Sequence, residues 1–259
     1  MAQIKANEAL VKALQTWNID HLYGIPGDSV DAVVDSLRTV RDQFKFYHVR
    51  HEEVASLAAA SYTKMTGKIG VALSIGGPGI VHLLNGMYDA KMDNVPQLII
   101  AGQTNSTLLG TKFFQETNIS KMVDDVAVYH HQIQKGDNVF EITNEAIRTA
   151  YEKKGVSVII CPNDLLTQKI KDTTNRAVDT TKPKPASPKF KSIKKAAKLI
   201  DKAKKPVMLI GLGTQHAKDE LREFIEAAKI PVIHTLPAKT ILPDDHPYSI
   251  GNLGKIGTK

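Results

Sequence analysis

The sequence contains little of what disulfide-linked, membrane-spanning or secreted proteins require. Its 259 residues include one cysteine, Cys161, and a single cysteine cannot form a disulfide framework. No apolar run approaches the roughly 20 residues of a membrane-spanning helix. Residues 1–10 carry charges of both signs and have no apolar core of signal-peptide length. These absences predict a cytoplasmic protein in which Cys161 is a buried, unreactive thiol.

Negative charge is in deficit only in the second part of the chain. The formal net charge is +7, and residues 165–259 hold 19 Lys and Arg against nine Asp and Glu. The most lysine-rich stretch, residues 182–205, has no arginine for bidentate contacts with bases. We interpret this stretch as a linker and a solvated helix face, and we expect no nucleic-acid partner.

Apolar residues in the first 165 positions alternate between helical and strand-like spacing. A helix is predicted at residues 29–38, with Asp28 in the N-cap position. This alternation predicts an α/β fold, a doubly wound parallel sheet of flavodoxin-like type with helices on both faces. Strand-like runs with few charges occur at residues 44–49, 69–75, 97–101 and 156–161.

The pattern is interrupted at residues 166–189, which are rich in Thr, Lys and Pro and have no apolar period. We predict a linker there. Helical and strand-like stretches then resume, with only two clear strands, at 206–210 and 231–235. The predicted organisation is therefore a first α/β domain at 1–165 and a second, incomplete α/β domain at 190–259.

Four motifs stand where predicted strands end and helices begin, the edge at which open α/β sheets bind ligands. Each is weak evidence alone, because glycine-rich turns and acids in the first turn of a helix are common. In chain order they are Pro26-Gly27-Asp28, Arg50-His51-Glu52, Gly77-Pro78-Gly79, and Phe113-Phe114-Gln115-Glu116.

In this order and spacing the motifs resemble the pyrimidine-binding domain of thiamine diphosphate enzymes of the pyruvate oxidase, acetolactate synthase and pyruvate decarboxylase families. Residues 67–68, 85–86, 89–90 and 93–96 extend the resemblance without a gap. Resemblance to pyruvate oxidases covers essentially the whole chain. Residues 27–29, 114–117 and 246–248 look most like the quinone-reducing, acetate-forming branch.

The resemblance implies roles in the cofactor site for residues of the second and third motifs. Glu52 matches the family's glutamate, which hydrogen-bonds to ring nitrogen N1′ of thiamine diphosphate and promotes its imino tautomer. The neighbouring Glu53 is expected to point elsewhere. Gly77, Pro78 and Gly79 let the backbone approach the aminopyrimidine ring, and Asn85 is expected to reach the same site.

The resemblance also assigns residues of the first and fourth motifs. Phe114 and Gln115 match positions that line the pyruvate pocket, although a surface polar loop remains an alternative. Pro26, Gly27 and Asp28 match a cofactor-binding loop. For Asp28 two interpretations stay open, namely proton transfer and helix capping.

Gly211 and Gly213 follow the predicted strand 206–210 and open a helix. This setting suits the phosphate of a ligand other than thiamine diphosphate and pyruvate. The resemblance places FAD there, with Lys239 at the next strand end. The family's Mg²⁺ and diphosphate ligands have no match in this chain, so no metal ligand is predicted. The pair His130-His131 is interpreted as structural.

By resemblance, the full-length enzyme oxidises pyruvate to acetate and CO₂, with electrons passing through FAD to a quinone or to oxygen. A homo-oligomer, dimer or tetramer, is expected, with membrane contact only through a C-terminal part that this chain lacks. Without the diphosphate-binding domain the chain is expected to be inactive by itself. Two alternatives remain open: an acetolactate synthase-like carboligase, and a non-catalytic remnant that binds nucleotide or partner subunits.

Overall fold

The fold was analysed in a computed structural model, which describes residues 2–183, 186–215, 217–255 and 257–258. Two compact units are distinguished, residues 1–184 and residues 185–259. Among the described residues, no helix combines the length and the apolar character needed to cross a bilayer.

A six-stranded parallel sheet forms the centre of the first unit, with the strand order β3-β2-β4-β5-β7-β6. The predicted doubly wound parallel sheet is confirmed. In chain order the elements are β1 Gln3–Lys5, α1 Ala6–Thr16, β2 His21–Gly24, α2 Asp31–Thr39, β3 Lys45–His48, α3 Glu52–Thr66, β4 Gly70–Ser74, α4 Pro78–Met92, β5 Gln97–Gln103, α5 Ile119–Val123, β6 Ala127–Gln132, α6 Val139–Lys153, β7 Val156–Pro162, α7 Asn163–Leu166 and β8 Lys169–Lys171.

Separate apolar cores cover the two faces of this sheet. Val71 and Leu73 of β4 belong to one core, with α1, α2 and α6, whereas Ala72 between them belongs to the other, with α3, α4 and α5. Successive strand residues point to opposite faces, so a strand that is apolar at every position needs helices on both sides. Cys161 in β7 is fully buried, and burial raises the pKa of its thiol, as expected for an unreactive cysteine.

The chain reverses direction across the sheet between β2 and β4. From β2 it moves outward to β3, and it then returns to β4 on the other side of β2. Open α/β sheets bind ligands at such a switch point, in the crevice beyond the carboxyl ends of the strands. The loops after β2, β3 and β4 carry the first three sequence motifs, so the topology gathers those motifs at one edge.

Two local predictions were wrong. Helix α2 begins at Asp31 and its N-cap position is Val30, so Asp28 does not cap it; instead the Val30 N–H donates to the Gly27 carbonyl in a turn. The predicted linker begins with a structured segment, because β8 pairs antiparallel with β1 through Ile170 and Ile4. A three-residue strand is too short to produce a recognisable apolar period.

The second unit contains a three-stranded parallel sheet with the order β11-β10-β9. The sequence revealed two of these strands; the third, polar at most positions, was missed. Gly211 and Gly213 flank the start of a 3₁₀ turn, Leu212–Thr214, so they do not open the α-helix as predicted. The elements are α8 Phe190–Lys202, β9 Met208–Ile210, α9 Lys218–Ala228, β10 Val232–His234 and β11 Ser249–Asn252.

Candidate functional site

The loops after β2, β4 and β5 are in direct contact at the switch point. The Ser29 hydroxyl accepts a hydrogen bond from the Gly76 N–H at 3.0 Å. A side chain on Gly102 would place its Cβ 2.4 Å from the same hydroxyl oxygen. The absence of a side chain at Gly102 therefore lets the first loop approach the end of β5, as a ligand-binding crevice requires.

Gly77 is required for two reasons at the start of α4. Its φ of +61° lies in the left-handed region, and a Cβ there would be 2.7 Å from the Gln115 carbonyl oxygen. The predicted third and fourth motifs therefore touch. Pro78 follows as the first residue of α4, where its missing N–H costs no hydrogen bond, and Gly79 packs against Ile75 and Ser74.

The loop that carries Phe114 and Gln115 is attached to the sheet by Gln103. The buried Gln103 side chain donates from Nε2 to the Thr117 carbonyl at 2.8 Å. Gln115 is half-buried and has a φ of +63°, whereas the Phe114 ring is 78% exposed. Within the described residues, Gln115 therefore lies beside the glycine turn and Phe114 projects into solvent.

The Glu116 side chain stabilises the same loop by a brace of hydrogen bonds to backbone groups within that loop. Its carboxylate accepts the backbone N–H groups of Gly110 at 2.5 Å and of Phe113 at 3.1 Å. The Gly110 N–H contributes most to lowering the pKa of the Glu116 carboxyl, because these bonds stabilise its charged form. A lowered pKa in the folded state means that the brace is complete above the ordinary value of 4.5 and is lost as the pH falls through the lowered pKa.

Replacing Glu116 by Gln should therefore loosen this loop without unfolding the domain. We expect faster hydrogen exchange at the Gly110 and Phe113 amides, because a neutral amide oxygen is the weaker acceptor. Glu141→Gln is the matched control, since the Glu141 carboxylate makes an exposed ion pair with Arg176 and accepts no backbone N–H in the described part of the chain. Unchanged protection at both amides in Glu116→Gln would contradict the bracing role.

Among the described residues of this edge, Glu52 is the only carboxylate that is buried, at 8% exposure. It is the first residue of α3, directly after the turn that leaves β3. One carboxylate oxygen, Oε2, lies 2.9 Å from His82 Nδ1 in α4. No hydrogen-bond partner is found for the other oxygen within the described part of the chain, so Glu52 keeps the capacity to bind a further donor.

His82 was missed by sequence reasoning, although it lies one turn after the Gly77-Pro78-Gly79 motif on α4. Residues one turn apart lie on the same face of a helix, so a histidine one turn after a ligand-binding helix start lies on the face of that start. This spacing is the sequence signal that could have identified His82. The His82 ring stacks on His51, with ring centroids 4.4 Å apart and an interplanar angle of 28°. The two imidazoles and the Glu52 carboxylate form one compact group.

Asn85 does not reach Glu52. It is exposed, and its side-chain amide donates to the Glu53 carboxylate instead. The Glu53 carboxylate also lies 3.7 Å from His51 Nδ1. Asn85 and Glu53 thus connect α4 to α3 beside the site, and a contact between Asn85 and the cofactor stays a prediction.

The first motif contributes backbone rather than side chains to the crevice. A Cβ on Gly27 would lie 2.5 Å from Ile75 Cγ2, so glycine allows the two loops to pack together. Pro26 and Asp28 are exposed, and the Asp28 carbonyl accepts a hydrogen bond from the Asn163 side chain at 2.8 Å. The Asp28 carboxylate therefore faces solvent at the rim of the site.

Polar groups also collect at the carboxyl edge of the second unit's sheet. Both ring nitrogens of the fully buried His234 lack a hydrogen-bond partner among the described residues, and so does Asn252 Oδ1 on the neighbouring strand. Lys239 Nζ is 3.2 Å from Asp244 Oδ2. Gly211 has room beside it, since the nearest atom to an added Cβ would be 3.8 Å away. This edge fits a polar ligand.

One cavity of the first unit lies elsewhere. It measures about 150 Å³ and opens at the amino ends of β2 and β4, between Trp17, Tyr62 and Tyr151. The residues of the four motifs do not line it. We place the candidate site at the carboxyl edge because the buried carboxylate, the glycine turns and the switch point coincide there.

Comparison with known protein families finds a match in each of the two units. Residues 4–122 match the family described as thiamine pyrophosphate enzyme, N-terminal TPP binding domain. Residues 193–259 match the family described as thiamine pyrophosphate enzyme, central domain. The first match contains all four sequence motifs, and the second contains Gly211, Gly213 and Lys239.

Individual relatives span the whole chain. A Bacillus subtilis protein, provisionally named as the thiamine pyrophosphate-containing protein YdaP, is 48% identical over 259 residues, covering 100% of this chain and 45% of the relative. Pyruvate oxidase of Lactiplantibacillus plantarum is 38% identical over 99% of the chain and 43% of its own length. Acetolactate synthase of Mycobacterium leprae is 34% identical over 99% of the chain and 41% of its own length.

The chain spans less than half the length of these three relatives. The two matched families are successive domains of one class of enzyme, and they occur here in the same order. The chain therefore belongs to the thiamine pyrophosphate enzyme superfamily, of which it carries the N-terminal and central domains.

Proposed function

We propose that this chain is the pyrimidine-binding part of an enzyme that oxidises pyruvate with water to acetate and CO₂ and passes two electrons through FAD to a quinone. The observation that carries the proposal is the buried Glu52 carboxylate at the switch point, with one oxygen unoccupied. That oxygen is not among the buried atoms that lack a partner, so it is accessible to a ligand that enters the crevice.

Glu52 is proposed to bind N1′ of the aminopyrimidine ring and to hold a proton there. Thiamine diphosphate, when bound, supplies the carbon nucleophile that allows pyruvate to lose CO₂. Proton sharing between Glu52 and N1′ is general acid-base catalysis, and its efficiency depends on fixed geometry. The fixed position of Glu52 follows from its place in the first turn of α3, a helix that packs along α4.

His82 is proposed to position Glu52 rather than to touch substrate. Its Nδ1 lies 2.9 Å from one carboxylate oxygen, which leaves the other oxygen for the ring nitrogen. His82 is itself steadied by stacking on His51. This arrangement orients the carboxylate by a side chain from a second helix, as supporting residues do in preorganised sites.

Gly77, Pro78 and Gly79 are proposed to let the backbone lie against the aminopyrimidine ring. Gln115, beside Gly77, is placed to hydrogen-bond the pyruvate carboxylate, and Phe114 would cover the pocket together with the rest of the enzyme. Asp28 is exposed at the rim, and because it does not cap α2 we propose the proton-transfer interpretation for it.

FAD is proposed to bind at the carboxyl edge of the second unit's sheet, where Gly211 and Gly213 leave space for a phosphate. His234, whose Nε2 lies 3.7 Å from Asp244 Oδ1, and Lys239, which pairs with the same carboxylate, are the polar side chains proposed to contact it. Mg²⁺ and the diphosphate group are proposed to be held by residues outside this chain. We further propose that the enzyme is a homo-oligomer.

A chimera tests the reaction. Residues 1–259 of this chain would replace the matching 45% of the Bacillus subtilis relative, to which they are 48% identical. With thiamine diphosphate, Mg²⁺, FAD and pyruvate, we expect reduction of a quinone dye in equal amount to the CO₂ released. Formation of acetolactate without dye reduction would overturn the oxidase proposal in favour of the carboligase. Thermal unfolding of the chimera shows whether an inactive product is folded.

A further inference from the structure

The group formed by His51, Glu52 and His82 is a set of metal ligands as well as a set of proton-sharing residues. Each residue offers one ligand atom, and these three atoms all lie within 4.8 Å of one another. They come from two helices, since His51 and Glu52 begin α3 and His82 lies in the second turn of α4. The contact between His82 Nδ1 and Glu52 Oε2 is already 2.9 Å.

The donor set selects a class of cation. Two imidazoles and one carboxylate suit Zn²⁺, Co²⁺, Ni²⁺ and Cu²⁺, whereas Mg²⁺ and Ca²⁺ prefer oxygen ligands alone. Zinc bonds to nitrogen and carboxylate oxygen are about 2.0–2.2 Å long, so ligand atoms must approach to roughly 3.3 Å of one another. The present spacing needs a contraction between the ligand atoms that lie up to 4.8 Å apart, whereas the 2.9 Å contact between His82 Nδ1 and Glu52 Oε2 must lengthen slightly.

Exposure of the two rings permits that contraction. The side chains of His51 and His82 are 48% and 42% exposed, so both imidazoles can rotate and a cation has a path from solvent. Their stacking holds the two rings together before a cation arrives. The Glu53 carboxylate, 3.7 Å from His51 Nδ1, adds negative charge beside the site and offsets the positive end of the α3 dipole.

We propose that His51, Glu52 and His82 bind one divalent transition-metal cation of the zinc type, with solvent in the remaining coordination positions. This site is distinct from the Mg²⁺ of the proposed reaction, which binds with the diphosphate. A consequence rests on the proposed function: because the cation occupies the Glu52 carboxylate, it excludes the aminopyrimidine ring and acts as an inhibitor.

The metal site is tested on the 259-residue chain without an affinity tag and without thiamine. Co²⁺ is titrated and its visible absorption recorded, and Zn²⁺ is then added as a competitor. We expect one Co²⁺ per chain, with a spectrum typical of coordinated nitrogen, that Zn²⁺ displaces. His82→Ala, His82→Gln and Glu52→Gln should each weaken Co²⁺ binding at least about tenfold.

The matched control is His130→Ala. His130 also lies near a carboxylate, 3.4 Å from Asp124 Oδ1, but it has no third ligand in the described part of the chain. We expect this variant to bind Co²⁺ like the unaltered chain. An equal loss of affinity in His130→Ala and His82→Ala, or no loss in either His82 variant, would overturn the site. Circular dichroism confirms that the exposed His82 variants remain folded.

The inhibitory consequence has a separate test. In the chimera, Zn²⁺ is added before or after thiamine diphosphate, and we expect inhibition only when Zn²⁺ is added first. If Co²⁺ binds the chain but the order of addition has no effect on activity, the metal site stands and its competition with the cofactor is refuted. If the chimera is inactive, the Co²⁺ titration still decides the metal site, because that titration does not depend on the reaction.

Discussion

Replacing Glu52 by Gln is expected to lower kcat for pyruvate-dependent dye reduction by about 10²- to 10⁴-fold, the range that a positioned acid-base group contributes. Glutamine keeps the size and a hydrogen-bonding oxygen, but it cannot take up or release a proton at N1′. The fold should be retained, because the side chain lies at a helix start and its one hydrogen bond within the described residues is to His82. The measurement is steady-state kinetics of the chimera, with thermal unfolding as the check on structure.

Glu53→Gln distinguishes the role of Glu52 from a general need for acids at this helix start. Both residues lie in the first turn of α3, but the Glu53 carboxylate binds Asn85 and not His82. We expect a loss of less than tenfold for Glu53→Gln. A loss in Glu53→Gln that equals or exceeds the loss in Glu52→Gln would refute the assignment of the catalytic carboxylate.

The second large effect concerns the packing of α3 against α4, which brings Glu52 and His82 together. Gly86 allows this close approach: a Cβ on it would lie 2.1 Å from Ser56 Oγ and 2.6 Å from the Leu57 backbone nitrogen. Alanine inside a helix gains about 1 kcal/mol over glycine. The clash with the Leu57 backbone nitrogen cannot be relieved by rotating a side chain, however. We therefore expect overpacking to dominate and Gly86→Ala to destabilise the first unit by about 2 kcal/mol.

Urea denaturation followed by Trp17 fluorescence measures this effect. Trp17 is the only tryptophan of the chain and belongs to the first unit, where its Nε1 donates to Asn144 at 2.8 Å. Gly213→Ala is the control, because no atom lies within 4 Å of an added Cβ there. A midpoint for Gly86→Ala at or above that of the unaltered chain would show that α3 and α4 are less tightly packed than the structure indicates.

The same packing explains why the site was only partly predictable. Glu52, Gly77 and Gln115 were assigned from the resemblance of short motifs to a known family, and each motif follows the carboxyl end of a strand. Parallel strands all end at one edge of the sheet, so motifs that are far apart in sequence were bound to meet there. The structure places Gly77 against Gln115 accordingly. Strand positions were also predictable, because buried strands are continuous apolar runs.

Contacts between the helices that follow those strands were not predictable in the same way. Whether Asn85 or His82 faces Glu52 depends on the rotation and axial shift of α4 against α3, which local sequence spacing does not fix. The structure pairs His82 with Glu52 and Asn85 with Glu53. The start of α2 at Asp31 rather than at Ser29 similarly followed from a turn at Gly27.

The sequence by itself thus determined the alternating α/β fold, the parallel sheet and the presence of an acid and glycine turns at its carboxyl edge. These features follow from the periodicity of apolar residues and from the single direction of parallel strands. Only the tertiary structure decided which side chains complete the site. That choice depends on how two helices approach each other at Gly86, and it leaves Glu52 buried, held by His82 and open to one further partner.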